Sequence, residues 1–580
     1  MSPSTSPTSV PGSTELRAPD WWKTAVVYQV YPRSFADSDG DGVGDIPGIT
    51  SRLDHLSRLG VDVLWLSPVY TSPMDDNGYD ISDYQDVDPL FGSLADLDAL
   101  IAACHDRGIR LLMDLVVNHT SDEHPWFVES RDPSSPKRDW YWWRPPRPGH
   151  EAGSPGAEPN NWAAAFSGPA WQLDEKSGEY YLHLFSAKQP DLNWENPEVR
   201  QAVYAMMRWW VDRGVDGFRM DVINFISKDP TLPDGPVLPG QALGSPFAGS
   251  ANGPRLDEFL AEMNREVGLT DRHLLTVGEM PGSTIELARH VTDASRRELD
   301  MVFTFEHVDL DVKPGGVKWD IADLPLPVLK RNLQSWQLGL ADVGWNSLYW
   351  NNHDQPRAVS RFGDDSPEHR VSSAKTLATV LHLHRGTPYV YQGEELGMTN
   401  ADFGSIEQYR DIESVNYYAS AMGLGLDREA VMRSLLIKSR DNARTPMQWD
   451  DSPNAGFSAG EPWLPVNPNH TFINAAAAEA DPQSVLAHYR ALIALRHKLP
   501  VVSEGDFALL LPDHDQLWVI VRTHGDDRLL VLANCASQPV SAPAAELPDL
   551  AGARVLLATH PGRDGLDLLP WESRLYNLAR

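Results

Sequence analysis

Eight short runs of β-branched and aromatic residues, each followed by a helical stretch, constrain this chain more than any other feature. They fall at 26–31, 61–67, 109–117, 215–221, 273–279, 301–305, 347–351 and 388–392, with helical patterns such as 92–107 and 197–213 between them. Strand and helix alternating eight times closes a parallel sheet into a (β/α)₈ barrel, because each crossover helix covers one outer face. An open doubly wound sheet would need a Gly-rich phosphate loop after a strand, and none follows any of these runs.

Two interruptions and one change of pattern set the domain organisation. The stretch from 119 to 189 is rich in Trp, Pro and Gly and far longer than a connecting loop, so it reads as an inserted small domain. A second irregular stretch, about 399–480, follows the eighth strand and contains SRDNARTPMQWD. From 499 to 580 the pattern becomes short alternating strands such as LWVIVR and LLVLAN, which predicts a C-terminal antiparallel β-sandwich. The barrel is then assigned to 20–118 and 190–498. Residues 1–19 carry one basic residue and no apolar run, and read as a flexible leader rather than a signal peptide.

Charge narrows the partners. Lys and Arg number 49 against 81 Asp and Glu, a formal net charge of −32, which repels phosphate backbones and anionic lipid. Nucleic acid and membranes are therefore excluded as partners, and no stretch is apolar enough to span a bilayer. A neutral small molecule meets no such barrier. Twenty Trp and seventeen Tyr offer flat faces suited to sugar rings, although most aromatics serve packing. Two cysteines, Cys104 and Cys535, lie far apart in a helix and a late strand, so no disulfide framework is expected and a cytoplasmic setting follows.

In such a barrel the reactive groups project from the C-terminal ends of the strands. The fourth strand ends in Asp216-Gly217-Phe218-Arg219-Met220-Asp221. Alternation points Arg219 and Asp221 the same way, so the guanidinium is expected to lower the Asp221 pKa and keep it ionised. An isolated Arg-x-Asp is more often a structural ion pair. The fifth strand ends in Val277-Gly278-Glu279, and a carboxyl group beside an anionic Asp is disfavoured as an anion, which suits a general acid. The seventh adds Asn351-Asn352-His353-Asp354 and the third Asp114 through Asn118-His119. Three carboxylates and two histidines converging on one barrel mouth fit glycosidic cleavage, with a carboxylate on one face of the sugar and a proton donor on the other. A separation of roughly 5–5.5 Å would mean retention through a covalent glycosyl-enzyme. A metal hydrolase would want closely spaced His ligands such as HExxH, which are missing.

Residues 37–45, Asp-Ser-Asp-Gly-Asp-Gly-Val-Gly-Asp, place oxygen ligands at alternating positions of a Gly-rich loop, a donor set for Ca²⁺ or Mg²⁺ in a structural role. Position twelve of an EF-hand would be Gly48, which has no carboxylate, so this is another kind of loop.

The segments QVYPRSF, DSDGDGVGD, DDNGYDISDY, DLVVNHTSDEHPWF, GFRMDVINFISK, VGEMPG, NNHDQPR and SRDNARTPMQW, in that order, resemble the α-amylase superfamily, glycoside hydrolase family 13. Within it the chain is similar to the oligo-1,6-glucosidase and α-glucosidase branch, from about residue 21 to the end. The resemblance implies a retaining, exo-acting hydrolase of small α-glucoside oligosaccharides, working as a monomer or weak homo-oligomer. It implies Asp221 as nucleophile, Glu279 as acid/base and Asp354 as the residue that distorts the sugar. His119 and His353 would bond the hydroxyls of the glucosyl unit, and Arg219 would orient the nucleophile. Asp76 and Arg440 would grip the non-reducing end, with Tyr79 and Phe185 as stacking walls. The 37–45 loop corresponds to the branch's cation loop, with ligands from Asp37, Asp39, Asp41, the Val43 carbonyl and Asp45.

In this branch Val after the nucleophile accompanies α-1,6 bonds and Ala α-1,4 bonds. Val222 thus favours isomaltose-type substrates, with α-1,4 and sucrose-type activity not far behind, since a methyl-scale difference is worth about 1–3 kcal/mol. Sucrose isomerases of the branch carry an Arg-Leu-Asp-Arg-Asp loop before the seventh strand. Here stand His307-Val308-Asp309-Leu310-Asp311 and Val317-Lys318-Trp319-Asp320, which favours hydrolysis over isomerisation or trehalose formation. A non-catalytic interaction protein on the same barrel is the remote alternative, and the complete acidic set argues against it.

Overall fold

The computed structural model describes residues 20–237 and 241–578, so the expected leader lies outside the described residues. The eight barrel strands are β1 (Val27–Val30), β2 (Val63–Leu66), β3 (Arg110–Leu115), β4 (Gly217–Met220), β5 (Leu275–Glu279), β6 (Met301–Phe303), β7 (Ser347–Leu348) and β8 (Thr387–Tyr391). All neighbours pair in parallel from β6 through β5, β4, β3, β2, β1 and β8 to β7. The parallel bridge Val302↔Asn346 brings β6 and the entry to β7 together and closes the ring. The expected (β/α)₈ barrel is the observed one.

Alternation along the strands separates two cores. Val27, Val63, Trp65, Leu112, Leu275, Val277, Met301, Phe303 and Tyr389 point inward and fill the lumen. Intervening positions such as Tyr28, Leu64, Leu111, Met113, Phe218 and Met220 point outward beneath the helices. Helix Pro197–Arg213 shows why such segments are helical. Asn196 caps its first turn, Pro197 opens it, Gly214 ends it in the left-handed conformation, and Val199, Val203, Met206, Met207 and Trp210 form its buried face. Each strand tip is thus held rigidly from behind.

After β3 the chain leaves the barrel at the antiparallel bridge His119↔Asp191. Between those residues lies a three-stranded antiparallel sheet of Trp143–Arg144, Glu179–Leu182 and Trp171–Asp174. Its aromatic core of Trp142, Trp162, Trp171 and Tyr180 continues into Val222 and Phe225, which fixes it over the exit of β4. The stretch 399–480 carries helices Ile412–Gly423 and Arg428–Lys438, packed through Val431 and Leu435 against Trp319, Phe403 and Leu464. At the C-terminus five antiparallel strands, β9 (Asp506–Leu510), β10 (Leu517–His524), β11 (Asp527–Asn534), β12 (Arg554–Ala558) and β13 (Ser573–Asn577), run in the order β9-β10-β11-β13-β12. Trp518 and Ile520 face the barrel side and Leu517, Val519 and Val521 the other. The buried Lys330 ammonium ties sheet to barrel by donating to the carbonyls of Leu511, His514 and Leu517 at 2.7–2.8 Å.

Candidate active site

Strand register builds the floor. Asp114 of β3 lies opposite Arg219 of β4, and Val277 of β5 lies opposite Arg219 on the other side. Inward alternation then sets Asp114 and Arg219 at one level, with Asp221 and Glu279 two residues further along their own strands. Arg219 Nη1 donates to Asp114 Oδ1 and Asp221 Oδ1, each at 2.7 Å, and Nη2 lies 2.6 Å from Glu279 Oε1. The Arg219 side chain is 1% exposed. One cation therefore serves three carboxylates.

That sharing corrects one expectation. Burial pushes the Asp221 carboxyl well above the ordinary carboxylate range, Arg219 pulls it down, and Glu279 and Asp114 push it up again, leaving a net rise. Asp114 is likewise pushed up to about 6 by burial against the pull of Arg219. Shared among three acids in a dry site, the guanidinium does not offset the desolvation of Asp221 and Asp114, so the predicted lowering of Asp221 does not occur.

Val222 follows Asp221 with φ 34° and ψ 43°, a left-handed conformation that a β-branched residue rarely adopts. Its backbone N–H donates to Glu279 Oε2 at 3.1 Å, and the short helix Ile223–Phe225 follows at once. The turn aims the Val222 side chain into the cavity beside both carboxylates. Gly217, at the start of β4, allows the close approach of β5, because a Cβ there would sit 2.1 Å from the Leu275 carbonyl oxygen.

A second arginine organises the opposite side. Arg440 Nη2 donates to Asp76 Oδ1 at 3.2 Å, Nη1 to Asp354 Oδ1 at 3.2 Å and Nε to Asp411 Oδ1 at 2.8 Å. Its guanidinium lies over the Phe166 ring at 5.0 Å. Arg444 Nη2 adds a 2.7 Å bond to Asp354 Oδ1. Burial acts against ionisation of Asp354, but His353, Arg440, Arg444 and Arg219 together hold it well below the usual range. Burial wins at Asp76, which is pushed up to about 7 despite Arg440 and Arg444.

The histidines sit between these centres. His353 is fully buried, and its Nε2 lies 2.7 Å from the Tyr79 hydroxyl and 3.2 Å from Asp354 Oδ2. Gln29 reaches Nδ1 at 2.8 Å, and the Tyr79 ring stacks on the imidazole with centroids 5.2 Å apart. His119 Nε2 lies 3.1 Å from the Tyr79 carbonyl oxygen and 3.3 Å from Gln189 Nε2, beside the Phe185 ring. Burial lowers His353 to about 3 and His119 to about 4, so both are neutral at ordinary pH.

A cavity of about 250 Å³ joins these parts. Asp76, Tyr79, His119, Phe185, Asp221, Val222, Glu279, Asp354 and Arg440 all line it, while Arg219 and His353 stand behind, bonded to residues that do. Sequence reasoning passed over Asp411, Arg444, Gln189 and Phe166, and missed Asp114 as the partner of Arg219. The Asp114–Arg219 register was a usable signal, and Arg444 stands one helical turn beyond Arg440. Asp411 carries no local signal.

The 37–45 loop gathers the carboxylate oxygens of Asp37, Asp39 and Asp45 within 4.8 Å of one another. An all-oxygen donor set of this density fits a hard divalent cation. Asp41 lies outside this trio, and its Oδ1 accepts the Val43 N–H at 2.8 Å. Burial opposes ionisation of Asp37, but bonds from Ser458 and the amides of Gly40, Gly42 and Asp39 hold it below the usual range. Gly42 has φ 93°, and a Cβ there would meet the Glu461 carbonyl oxygen at 1.9 Å.

A closed parallel barrel with clustered carboxylates at the C-terminal ends of β4 and β5 defines a barrel enzyme whose site is made for a neutral, hydroxyl-rich ligand. The model of the α-amylase catalytic domain matches residues 29–505. The oligo-1,6-glucosidase of Parageobacillus thermoglucosidasius is 56% identical over 96% of this chain and 99% of that protein. The trehalose-6-phosphate hydrolase structure from Bacillus licheniformis superposes with a TM-score of 0.91 at 46% identity, covering 97% of this chain and all of the other. An isomaltulose synthase structure from Erwinia rhapontici, in complex with sucrose, gives 0.91 at 40% identity, covering 97% and 100%. The chain belongs to the α-amylase family and is a glycoside hydrolase.

Proposed function

We propose that the chain is a retaining, exo-acting α-glucosidase that removes terminal non-reducing α-linked glucose from short oligosaccharides, with α-1,6 linkages favoured. The observation that carries this reading is the single Arg219 guanidinium held between Asp221 and Glu279, both of which face one cavity. General-acid catalysis requires Glu279 to deliver a proton during reaction. Each Glu279 oxygen accepts one bond from Arg219 or Val222 and keeps a second lone pair for it.

In the reaction Asp221 attacks the anomeric carbon while Glu279 gives its proton to the departing glycosidic oxygen. The positive charge developing on the sugar offsets the burial, and the neighbouring carboxylates, that raise Asp221. Water then attacks the glycosyl-aspartate, Glu279 takes its proton, and Asp221 is released. Asp354, kept anionic by its arginines, stabilises the cationic sugar. Neutral His119 and the Asp76–Arg440 pair bond its hydroxyls, Tyr79 and Phe185 flank it, and the expected contact from His353 becomes support from behind through Tyr79 and Asp354. Closure of the cavity by Asp76 and Arg440 supports action on chain ends. Val222, beside the reacting carboxylates, supports the α-1,6 preference.

The 37–45 loop is read as a structural Ca²⁺ or Mg²⁺ site, held by Asp37, Asp39 and Asp45, with the Asp41 carboxylate and the Val43 carbonyl as further candidates. Two unpaired cysteines and an acidic surface support work in the cytoplasm as a monomer or weak homo-oligomer. The test is turnover of isomaltose and p-nitrophenyl α-glucoside by Asp221→Ala and Glu279→Gln. Both should lose about 10⁴-fold or more in kcat while keeping the native circular-dichroism spectrum. Substantial turnover in both variants would overturn the assignment, and isomaltulose or trehalulose as the main product from sucrose would move the chain to the isomerases.

A further inference from the structure

With the glucosyl unit assigned to the Asp76–Arg440 side, the remaining cavity wall is left for the sugar bonded to the departing oxygen. That wall sets three cations beside two carboxylates. It comprises Phe305, Val308, Asp309 and Val312 from the segment after β6, together with Lys318, Arg361, Glu413 and Lys438. Lys318 is neutralised within the cavity, its Nζ lying 2.5 Å from Glu413 Oε2. Arg361 and Lys438 are different. Both line the cavity, yet their common partner, Asp311, does not.

Asp311 stands behind them. Arg361 Nε donates to its Oδ2 at 3.0 Å and Nη2 to its Oδ1 at 2.8 Å, while Lys438 Nζ reaches Oδ1 at 2.5 Å. The side chains of Arg361 and Lys438 are 3% and 2% exposed. Arg361 is held further by Gln355 Oε1 at 2.5 Å and by the Val308 carbonyl. Burial lowers Lys438 to about 8, with Arg361 adding repulsion. Two buried cations thus face the cavity with a carboxylate at their backs. Without that carboxylate only Asp309 on the cavity side would oppose their two charges, leaving a net positive face that little solvent screens.

We propose that Asp311 is a specificity-determining residue, whose carboxylate cancels Arg361 and Lys438 from behind and keeps this wall selective for uncharged sugars over phosphorylated ones. The proposal rests on the α-glucosidase reading, which supplies the departing sugar. Asp311 touches no substrate; it acts through the two cations.

The test compares kcat/KM for maltose and for maltose carrying a phosphate on O6 of the reducing sugar. Asp311→Asn should raise the phosphorylated-to-neutral ratio about tenfold or more, through KM for the phosphorylated sugar. Inorganic phosphate should also raise its melting temperature more than that of the wild type, because an anion replaces the missing charge. Lys438→Met leaves Asp311 doubly bonded to Arg361, keeps the fold, and should shift the ratio the other way. Asp311→Asn combined with Lys438→Met should return it toward the wild-type value. If Asp311→Asn fails to fold, Lys438→Met decides alone. A ratio unmoved in Lys438→Met, or both sugars slowed equally in Asp311→Asn, overturns the proposal. Absence of turnover of both maltose and isomaltose by the wild-type chain would instead strike the α-glucosidase reading itself.

Discussion

Two arginines hold the cavity from opposite sides, and each gathers several acids. Arg219 is carried by a barrel strand and bonds Asp114, Asp221 and Glu279, all from the tips of three adjacent strands. Arg440 comes from a loop after the eighth strand and bonds Asp76, Asp354 and Asp411, from three unrelated loops. The first set is fixed by strand register and cannot shift without unzipping the sheet. The second depends on long segments folding back over the barrel mouth. Rigid strand tips suit the groups that make and break bonds, where an ångström matters, and loops suit the groups that select what enters.

The largest expected difference between the two sides is kinetic. Arg219→Ala leaves three buried acids without a cation and should lower kcat by about 10²–10⁴-fold, with a stability loss of about 3–5 kcal/mol. Arg440→Ala leaves Asp354 still bonded to Arg444. It should act mainly on KM for isomaltose, raising it about 10²-fold, because it removes binding of the sugar's far end. Steady-state kinetics with a denaturant titration of each variant separates these outcomes. A pure kcat effect in Arg440→Ala would erase the distinction between the two sides.

The same contrast explains what the sequence revealed. The floor was legible because period-two alternation and neighbouring strands together fix which side chains meet, and Arg219, Asp221 and Glu279 all end β-branched runs. Even there the ionisation balance was misread. Alternation shows that Arg219 and Asp221 share a face, but not that Asp114 and Glu279 claim the same guanidinium. The loop side was legible only where resemblance supplied Asp76 and Arg440. Asp411 caps helix Ile412–Gly423 through the amides of Glu413 and Ser414, so locally it reads as an ordinary N-cap. Its bond to Arg440 joins residues whose relation only the folded loops create. Pairings between loops have no periodicity to betray them.

Val222 sharpens the comparison from the floor side. Val222→Ala shortens the side chain beside the nucleophile and eases the left-handed backbone strain, while the amide can still bond Glu279. The ratio of kcat/KM for isomaltose to that for maltose should fall about 10–200-fold, the range set by a small change in apolar contact. An unchanged ratio would place linkage choice on the loop side instead.

Asp76 offers a smaller effect confined to the loop side. Burial lifts it to about 7 from an ordinary 3.8, so between roughly pH 4 and 7 the folded chain holds a proton that the unfolded chain has released. Its contribution is fully stabilising below about pH 4 and is lost as pH rises through about 7. Asp76→Asn cannot titrate. The wild type should therefore lose stability relative to this variant across that window, in unfolding midpoints measured at a series of pH values. Parallel curves would show that Arg440 keeps Asp76 ionised throughout, and that the two arginines differ less than their surroundings suggest.

The cation loop reaches only one of the two sides, which makes its removal the gentlest test. Asp37 accepts from Ser458 Oγ at 2.5 Å, the Asp37 N–H donates to the Phe457 carbonyl, and the Trp463 N–H donates to the Gly42 carbonyl. The 37–45 loop therefore clamps the segment that follows Arg440 and Arg444, while no bond runs from it to β4 or β5 among the described residues. A cation held by Asp37, Asp39 and Asp45 would stiffen that clamp and stabilise the folded chain in proportion to its occupancy. Chelation should lower the melting temperature by a few degrees and raise KM for isomaltose by about twofold, with kcat unchanged and Ca²⁺ restoring both. A fall in kcat without a change in KM would mean that the loop communicates with the strand tips after all. A melting temperature indifferent to chelator and to added Ca²⁺ would leave the three aspartates as a hydrogen-bonded turn and nothing more.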